Sequence, residues 1–259
     1  MKSPRRLLIR PGAIGDVILS LPAMEAARTD YTEVWAPRAV LPLVRFADHT
    51  RAIADTGLDL VGVVEGAKVE ALASFDSIYS WYGTNRPEFR EAVCRLPFTF
   101  FPALPPPPGV PRIDLSPHVG QVPDLPLRDV SGQVGNLPHF VVIYPFASSP
   151  AKRWPLENFR AVARSLDAPV RWCAGPGEEL EEAVRIPDLY ELARWLAAAR
   201  LYIGNDSGIA HLAAAVGTPV IAIFLATDPG LWAPRGDRVR VLESPTVRDV
   251  LGLARLHLR

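Results

Sequence analysis

The chain has little cysteine and no excess of charge of either sign. Its two cysteines, Cys94 and Cys173, stand far apart in 259 residues and fit neither a CxxC motif nor a metal-ligand spacing, which indicates two reduced, buried thiols. Basic and acidic residues balance at 28 each, so the positive excess typical of nucleic-acid binding is absent. We therefore expect a protein of a reducing compartment with no nucleic-acid partner.

The chain also lacks long apolar runs. No segment approaches the roughly 20 consecutive apolar residues of a membrane span, and the amino terminus has no apolar run of signal-peptide form. This predicts a cytoplasmic protein. Residues 246–258 have the pattern of an amphipathic helix, which we expect to pack back on the first domain. The alternative is that its leucines and arginines rest on a membrane surface.

A chain of 259 residues is long enough for one large domain or for two of about 120 to 130 residues each, and with half of its residues apolar it can bury a core. Proline clusters between Pro97 and Pro138, and residues 104–137 have the composition of an irregular segment that ends in a linker. We therefore expect one domain over residues 1–135 and a second over residues 136–259.

Short apolar strands alternate with helices on both sides of this boundary, which predicts an α/β fold with parallel sheets covered by helices. The expected strands are residues 7–10, 33–36, 50–54, 60–64, 77–80, 140–144, 170–173, 201–203 and 220–225. The expected helices are residues 16–28, 40–46, 68–73, 87–95, 155–166, 178–183, 189–199 and 209–216. Pro22 is expected to kink or restart the first helix.

Two glycine-containing turns stand between a strand and a helix. One is Gly204 to Gly208, and the other is Gly12 to Asp16. The unpaired N–H groups and the positive dipole end of the helix that follows suit a phosphate or diphosphate. Gly12 and Gly15 lack the third glycine of the dinucleotide fingerprint, which argues against NAD. Because ligands bind beyond the carboxyl ends of parallel strands, we expect both turns to border a cleft between the domains.

Four sequence blocks carry a resemblance to a known family. They are RPGAIGDVILSLPA at residues 10–23, PFAS with KRWP at residues 145–155, GNDSG with His211 at residues 204–211, and TDP with Trp232 and Pro234 at residues 227–234. In these residues and in their order the chain resembles the heptosyltransferases of glycosyltransferase family 9. The blocks span most of the chain.

The resemblance implies a GT-B architecture, in which two Rossmann-like domains face an interdomain cleft. It implies an inverting, metal-independent glycosyltransferase that takes a heptose-like sugar from a nucleotide diphosphate donor, ADP-heptose in the family, to a lipopolysaccharide core or another cell-envelope glycan. The first domain would bind the acceptor and the second the donor. A lipid-linked acceptor would bring the protein into peripheral contact with the inner membrane.

The resemblance also assigns catalytic residues. Asp16 is the expected general base that takes the proton of the acceptor hydroxyl, and its structural alternative is a carboxylate that only caps its helix. Lys152, one of three lysines in the chain, is expected to stabilise the negative charge of the leaving diphosphate. Gly12 and Gly15 shape the turn that carries Asp16.

The remaining expected contacts are with the donor. Asp206 would accept hydrogen bonds from sugar hydroxyl groups, and its alternative is an Asx turn. The other residues expected to bind the donor are Ser207, Gly208, His211, Ser148, Ser149 and Glu178. For Ser148 and Ser149 the alternative is ordinary turn capping, and for Glu178 it is a helix-terminal carboxylate. No two aspartates stand two residues apart and no cluster has metal-ligand spacing, so we expect neither a metal nor another cofactor.

The chain departs from the family between Gly177 and Leu189, where a helix, a strand and a loop are compressed into a few residues. This leaves two alternatives to a transferase. One is a non-catalytic homologue that binds a nucleotide sugar or acts as a scaffold. The other is a different GT-B-like enzyme, such as a nucleotide-sugar epimerase. Acceptor-dependent release of a nucleoside diphosphate separates the transferase from both.

Overall fold

The computed structural model describes residues 3–64, 71–103 and 140–258. The chain divides into two compact units, Met1–Pro123 and Asp124–Arg259. The expected domain boundary at residues 135 and 136 lies outside the described residues. Each described unit contains one parallel sheet of five strands, so the predicted α/β class with two such sheets is confirmed.

The first unit has the strand order β3-β2-β1-β4-β5, with every neighbouring pair parallel. Its strands are β1 Arg5–Ile9, β2 Tyr31–Ala36, β3 His49–Ala52, β4 Ser77–Ser80 and β5 Phe98–Phe100. Its α-helices are α1 Ile14–Ala26 and α2 Pro87–Ala92. Leu7, Ile9 and Ile78 are fully buried in its core, as expected for apolar strands covered on both faces.

The second unit has the strand order β10-β9-β8-β6-β7, again parallel throughout. Its strands are β6 Val141–Tyr144, β7 Val170–Trp172, β8 Leu201–Asn205, β9 Val220–Phe224 and β10 Val239–Glu243. Its α-helices are α3 Leu156–Ser165, α4 Leu189–Ala197, α5 Gly208–Ala215, α6 Pro229–Trp232 and α7 Val247–Leu258. All residues of β6, β8 and β9 are buried.

In both sheets the strand order reverses once. The reversal lies between β1 and β4 in the first sheet and between β6 and β8 in the second. Open parallel sheets bind ligands beyond the carboxyl ends of the strands at such a reversal, because the two connecting loops leave in opposite directions. The turns that follow β1, β6 and β8 therefore occupy the positions in which ligand sites form.

Several predicted elements differ from the structure. The helix expected at residues 40–46 is a 3₁₀ helix, Arg38–Leu43, which contains Pro42 and therefore lacks one backbone donor. The strand expected at residues 60–64 is absent, because Leu60 ends the 3₁₀ helix Leu58–Leu60, residues 61–64 form turns, and Gly62 has a φ of 79°, outside the extended region. The helix expected at residues 68–73 lies largely outside the described residues. The first helix runs through Pro22 without a restart.

The helix expected at residues 178–183 is also absent. This segment forms turns that lead to Val184, which pairs in parallel with Cys173 directly after β7. This part of the chain therefore contains no helix, and it contributes one isolated bridge beside the sheet. The prediction missed β5, β10 and the short α6.

Helix α7 packs on the core of the second unit, and its expected packing on the first domain stays a prediction. Val250 and Ala254 are fully buried in the core of the second unit, where they join Trp154 and Phe159. The indole of Trp154 donates to Pro245 O at 3.1 Å, just before the helix begins. Within residues 3–64, 71–103 and 140–258, no helix has the length and apolar character needed to cross a membrane.

Candidate functional site

Three turns of the second unit converge on one carboxylate oxygen. Lys152 Nζ lies 2.7 Å from Asp206 Oδ2, and Thr227 Oγ1 donates to the same oxygen at 2.7 Å. Lys152 ends a 3₁₀ helix after β6, Asp206 directly follows β8, and Thr227 lies in the turn after β9. The structure thus brings together two residues that the sequence predicted and a third that it did not assign.

The Lys152–Asp206 pair is unequally exposed. The side chain of Asp206 is 7% exposed and that of Lys152 is 24% exposed. A carboxylate as buried as this one is stable only while it is paired and hydrogen-bonded, so both partners matter to it. The lysine ammonium is the more accessible member, and it is therefore the one that an incoming anion can reach.

Asn205 joins the turns on which this pair is built. It is fully buried, its Nδ2 donates to Pro145 O at 2.7 Å, and its Oδ1 accepts from the Trp154 backbone N–H at 2.9 Å. These bonds hold the segment that carries Lys152 against the end of β8. The sequence analysis did not assign Asn205, although its place directly before Asp206 was the available signal.

Helix α5 begins beside Asp206. Ser207 is its N-cap residue, and Ser207 Oγ accepts from Ala210 N at 3.3 Å, while Gly208 is the first residue of the helix. His211 lies in the first turn and is buried. The amino end of this helix therefore follows directly on the Lys152–Asp206 pair, at the strand reversal of the sheet.

The two serines before Lys152 have different surroundings. Ser149 Oγ accepts from Ala151 N at 3.3 Å and caps the 3₁₀ helix, which is the turn capping predicted as the alternative to phosphate binding. Ser148 is exposed. Contact of either residue with a phosphate stays a prediction.

Glu178 is bonded at both of its carboxylate oxygens. Oε1 accepts from the Tyr144 hydroxyl at 2.8 Å, and Oε2 accepts from Gly175 N at 2.6 Å. Burial, followed by the hydrogen bond to Glu178, raises the pKa of Tyr144 well above its ordinary value. Burial and the charge of Glu178 together raise the pKa of Cys173 to about 12. Glu178 thus ties the end of β6 to the turn after β7, and its expected contact with the donor stays a prediction.

In the first unit, Asp16 lies in the first turn of α1, shortly after β1. Its Oδ2 accepts from Ala13 N at 2.9 Å. This is the helix-capping interaction predicted by the alternative in which Asp16 only caps its helix. Gly12 has a φ of 117°, and a Cβ at this position would lie 2.8 Å from Asp16 Oδ2. Only glycine therefore fits there without displacing the carboxylate. Gly15 lies in the first turn of α1.

Arg10 stabilises this turn through hydrogen bonds, and the sequence patterns assigned it no role. Its side chain is buried and donates to Ser20 Oγ at 2.7 Å, Pro11 O at 2.7 Å and Asp16 O at 3.1 Å. Ser20 Oγ in turn donates to Asp16 O at 2.8 Å. Burial lowers the pKa of Arg10, and the charge of Asp16 acts in the opposite direction. The buried guanidinium thus fixes the backbone that carries the Asp16 carboxylate.

A metal centre is not apparent in the parts of the chain that the structure describes. There, no group of three or more His, Cys, Asp or Glu residues is close enough to hold an ion. The expectation of metal-independent chemistry stays a prediction.

Comparison with known sequences finds a family match in the second half of the chain. Residues 124–249 match the family model of glycosyltransferase family 9 (heptosyltransferase). A curated relative, lipopolysaccharide heptosyltransferase 3 of Escherichia coli, is 35% identical over 115 residues, which are 37% of this chain and 34% of the relative. Lipopolysaccharide heptosyltransferase 1 of Escherichia coli (strain K12) is 34% identical over 111 residues, 36% of this chain and 34% of the relative. The match thus spans about a third of the length of these curated relatives.

Comparison with solved structures covers nearly the whole chain. The E. coli heptosyltransferase WaaC, solved with ADP, has a TM-score of 0.71 at 17% identity over 98% of this chain and 99% of that one. The same enzyme solved with ADP-2-deoxy-2-fluoro heptose has a TM-score of 0.68. The GT-B fold that the motifs predicted is therefore shown. Residues 124–249 match glycosyltransferase family 9, and the resemblance of the chain to the heptosyltransferases is confirmed.

Proposed function

We propose that this protein is an inverting glycosyltransferase that moves heptose from ADP-heptose to a lipopolysaccharide-core acceptor. The observation that carries the proposal is the Lys152–Asp206 pair at the strand reversal of the second sheet, directly before the amino end of α5. A cation, a carboxylate and unpaired helix N–H groups together match a diphosphate joined to a sugar.

In this proposal the second unit binds the donor. Lys152 Nζ and the N–H groups at the start of α5 face the diphosphate, and Asp206 accepts hydrogen bonds from the sugar hydroxyl groups. As the bond between the anomeric carbon and the diphosphate oxygen breaks, negative charge grows on the phosphate. Lys152 and the helix dipole stabilise that charge, and they take the place that a metal ion has in other transferases.

In the first unit, Asp16 is the proposed general base. The acceptor hydroxyl oxygen forms the new bond to the anomeric carbon, the diphosphate leaves with the electron pair of the old bond, and the hydroxyl proton goes to the Asp16 carboxylate. A carboxylate accepts at both oxygens, so the bond from Ala13 N to Oδ2 is compatible with this role. The rigid support from Arg10 suits a group that must be held in place during proton transfer.

The identity of the donor is supported by the relatives. The solved heptosyltransferase WaaC contains ADP in one structure and an ADP-heptose analogue in another, and the curated relatives act on lipopolysaccharide. On this basis we propose adenine as the base and heptose as the sugar of the donor. We likewise propose a lipid-linked acceptor that brings the protein to the cytoplasmic face of the inner membrane.

The test is acceptor-dependent release of ADP from ADP-heptose. We expect ADP to appear only when a lipopolysaccharide inner-core acceptor is added, together with a heptosylated product in the mass spectrum. A protein that binds ADP-heptose but releases no ADP with that acceptor or with other cell-envelope glycans would be a binding homologue. Conversion of the donor sugar without an acceptor would indicate an epimerase.

A further inference from the structure

Thr227 contacts the candidate donor site but is not among the residues with a proposed role. Its hydroxyl donates to Asp206 Oδ2, the same oxygen that Lys152 contacts. We propose that Thr227 is a positioning residue, which fixes the Asp206 carboxylate and through it holds Lys152 where a nucleoside diphosphate binds. This inference rests on the proposed donor site and adds to it a residue that acts without touching the donor.

The local structure explains why Thr227 is well placed. The next residue, Asp228, caps α6 by accepting from Gly230 N at 2.8 Å, and Pro229 occupies the first turn of that helix. The cap and the proline fix the turn in which Thr227 lies. The hydroxyl is therefore presented from a defined backbone position.

The backbone and the side chain of Asp206 are both hydrogen-bonded to β9 and to the turn that follows it. The Asp206 backbone N–H donates to Ile223 O of β9 at 2.9 Å, and its carboxylate accepts from Thr227, which follows β9. With the backbone tied to the strand and the carboxylate tied to the turn, the side chain of Asp206 has little freedom to rotate. Asp206 thus provides a fixed point for a partner.

Lys152 needs such a fixed point because its side chain is long and flexible. Holding a free lysine side chain in one position costs conformational entropy, which reduces the affinity of any ligand that requires that position. The contact with Asp206 orders the ammonium before a ligand arrives. The Thr227 hydroxyl contributes to that order by keeping Asp206 in place.

Thr227 also supports Asp206 when a ligand binds. A diphosphate competes with Asp206 for the Lys152 ammonium, and a buried carboxylate that loses its partner is strongly destabilised. The Thr227 hydroxyl remains as a donor on the same oxygen during this exchange. Without the Thr227 hydroxyl, the buried negative charge of Asp206 would lose its hydrogen-bond donor as well as its cation during this exchange.

The experiment measures ADP affinity by calorimetry in the wild type, Thr227→Val and Thr227→Ser. Valine has the shape of threonine without the hydroxyl, whereas serine retains the hydroxyl. We expect Thr227→Val to weaken ADP binding by about 3- to 10-fold, the range that corresponds to the net contribution of one ordinary hydrogen bond, and Thr227→Ser to stay within about twofold of the wild type.

The matched control is Thr218→Val. Thr218 precedes β9 at the opposite end of the strand and donates to Leu196 O at 2.7 Å, so its hydrogen bond has the same length as that of Thr227. We expect Thr218→Val to lower the stability of the fold but to leave ADP affinity unchanged. A loss of ADP affinity in both variants would indicate general loosening of the unit and overturn the inference.

A double variant tests whether Thr227 acts through Lys152. In the Lys152→Met background, Thr227→Val is expected to cause no further loss of ADP affinity, because contributions that pass through one residue are not additive. An equal loss with and without Lys152, or an equal loss in Thr227→Ser and Thr227→Val, overturns the inference. So does unchanged affinity in Thr227→Val.

Failure of the proposed function has a different result. If the wild type binds none of ADP, UDP and GDP, the donor site itself is disproved, and the inference falls with it. If the wild type binds a nucleoside diphosphate and Thr227→Val binds it equally well, only the inference falls.

Discussion

Each unit places a cation and a carboxylate just beyond the carboxyl ends of its central strands, but the buried member is the cation in one unit and the carboxylate in the other. In the first unit the cation is buried, with Arg10 6% exposed, and it donates to Ser20 Oγ and to backbone oxygens, while Asp16 is half-buried. In the second unit the carboxylate is buried, and Asp206 is contacted directly by the more accessible Lys152.

The buried cation of the first unit holds a turn in place, whereas the ion pair of the second unit can exchange one partner for a ligand. A guanidinium has donors in a rigid fork, so Arg10 can hold several backbone oxygens at once and fix the turn around Asp16. An ammonium is a point charge on a flexible stem, so Lys152 can change partners when an anion arrives. The first arrangement suits a group that must keep its position, and the second suits a group that must bind a ligand.

The largest expected effect is on turnover, in Asp16→Asn. The amide keeps the shape of the carboxylate but cannot take a proton, so we expect turnover to fall by about 10²- to 10⁴-fold with ADP affinity unchanged. Steady-state ADP release and calorimetry measure the two quantities. The control is Asp76→Asn. Asp76 also accepts from a backbone N–H, that of Arg5 at 2.7 Å, but it lies at the amino ends of the strands, just before β4. Unchanged turnover in Asp16→Asn would disprove the base and leave Asp16 as a helix cap.

An intermediate effect on stability is expected for Arg10→Lys. Lysine cannot reach all three acceptors of Arg10, so we expect the free energy of unfolding to fall by about 2–4 kcal/mol in urea denaturation. The control is Arg38→Lys, whose ion pair with Asp55 at 2.6 Å involves a side chain that is 74% exposed, and the expected loss is below about 1 kcal/mol. Equal losses in the two variants would contradict the view of Arg10 as the frame of its turn.

The smallest expected effect concerns the two thiols and leaves function untouched. Burial and the charge of Glu178 raise the pKa of Cys173 to about 12, so its thiolate form is nearly absent at about pH 8 and appears only as the pH rises towards that value. Cys94 is exposed. We expect iodoacetamide at about pH 8 to label Cys94 in the folded protein and Cys173 only after unfolding. Rapid labelling of Cys173 in the folded state would show that the interior around Glu178 is open.

The sequence predicted the parts of the fold that local patterns determine. The strand, turn and helix around Asp206 and the helix that contains Asp16 follow from apolar runs interrupted by glycine turns, and both are present. The helix expected at residues 178–183 did not form, because its backbone is engaged in turns and in the bridge of Val184 to Cys173. This tertiary pairing overrides the helical tendency of the glutamates.

The site was predictable only in part, because its contacts join residues that are distant in the sequence. Motifs identified Lys152 and Asp206 separately, but their 2.7 Å contact joins residues that are 54 positions apart, and its formation depends on the strand order. Thr227 and Arg10 were within the motif blocks, yet their roles depend on hydrogen bonds across turns that no sequence pattern displays. Strand β10, which is only partly buried at the sheet edge, has too weak an apolar pattern to be recognised.

The most direct test of the central claim is a calorimetric titration of ADP, UDP and GDP into the wild type, Lys152→Met and Arg194→Met. Arg194 pairs with Glu191 at 3.2 Å on the surface of α4, so its replacement removes the same charge and an ion pair from a different place. We predict that the wild type and Arg194→Met bind ADP with equal affinity and that Lys152→Met binds it at least about tenfold more weakly, as expected when a charge-assisted phosphate contact is lost. Equal binding by all three proteins, or binding of no diphosphate by the wild type, would contradict the assignment of the Lys152–Asp206 pair as the diphosphate site.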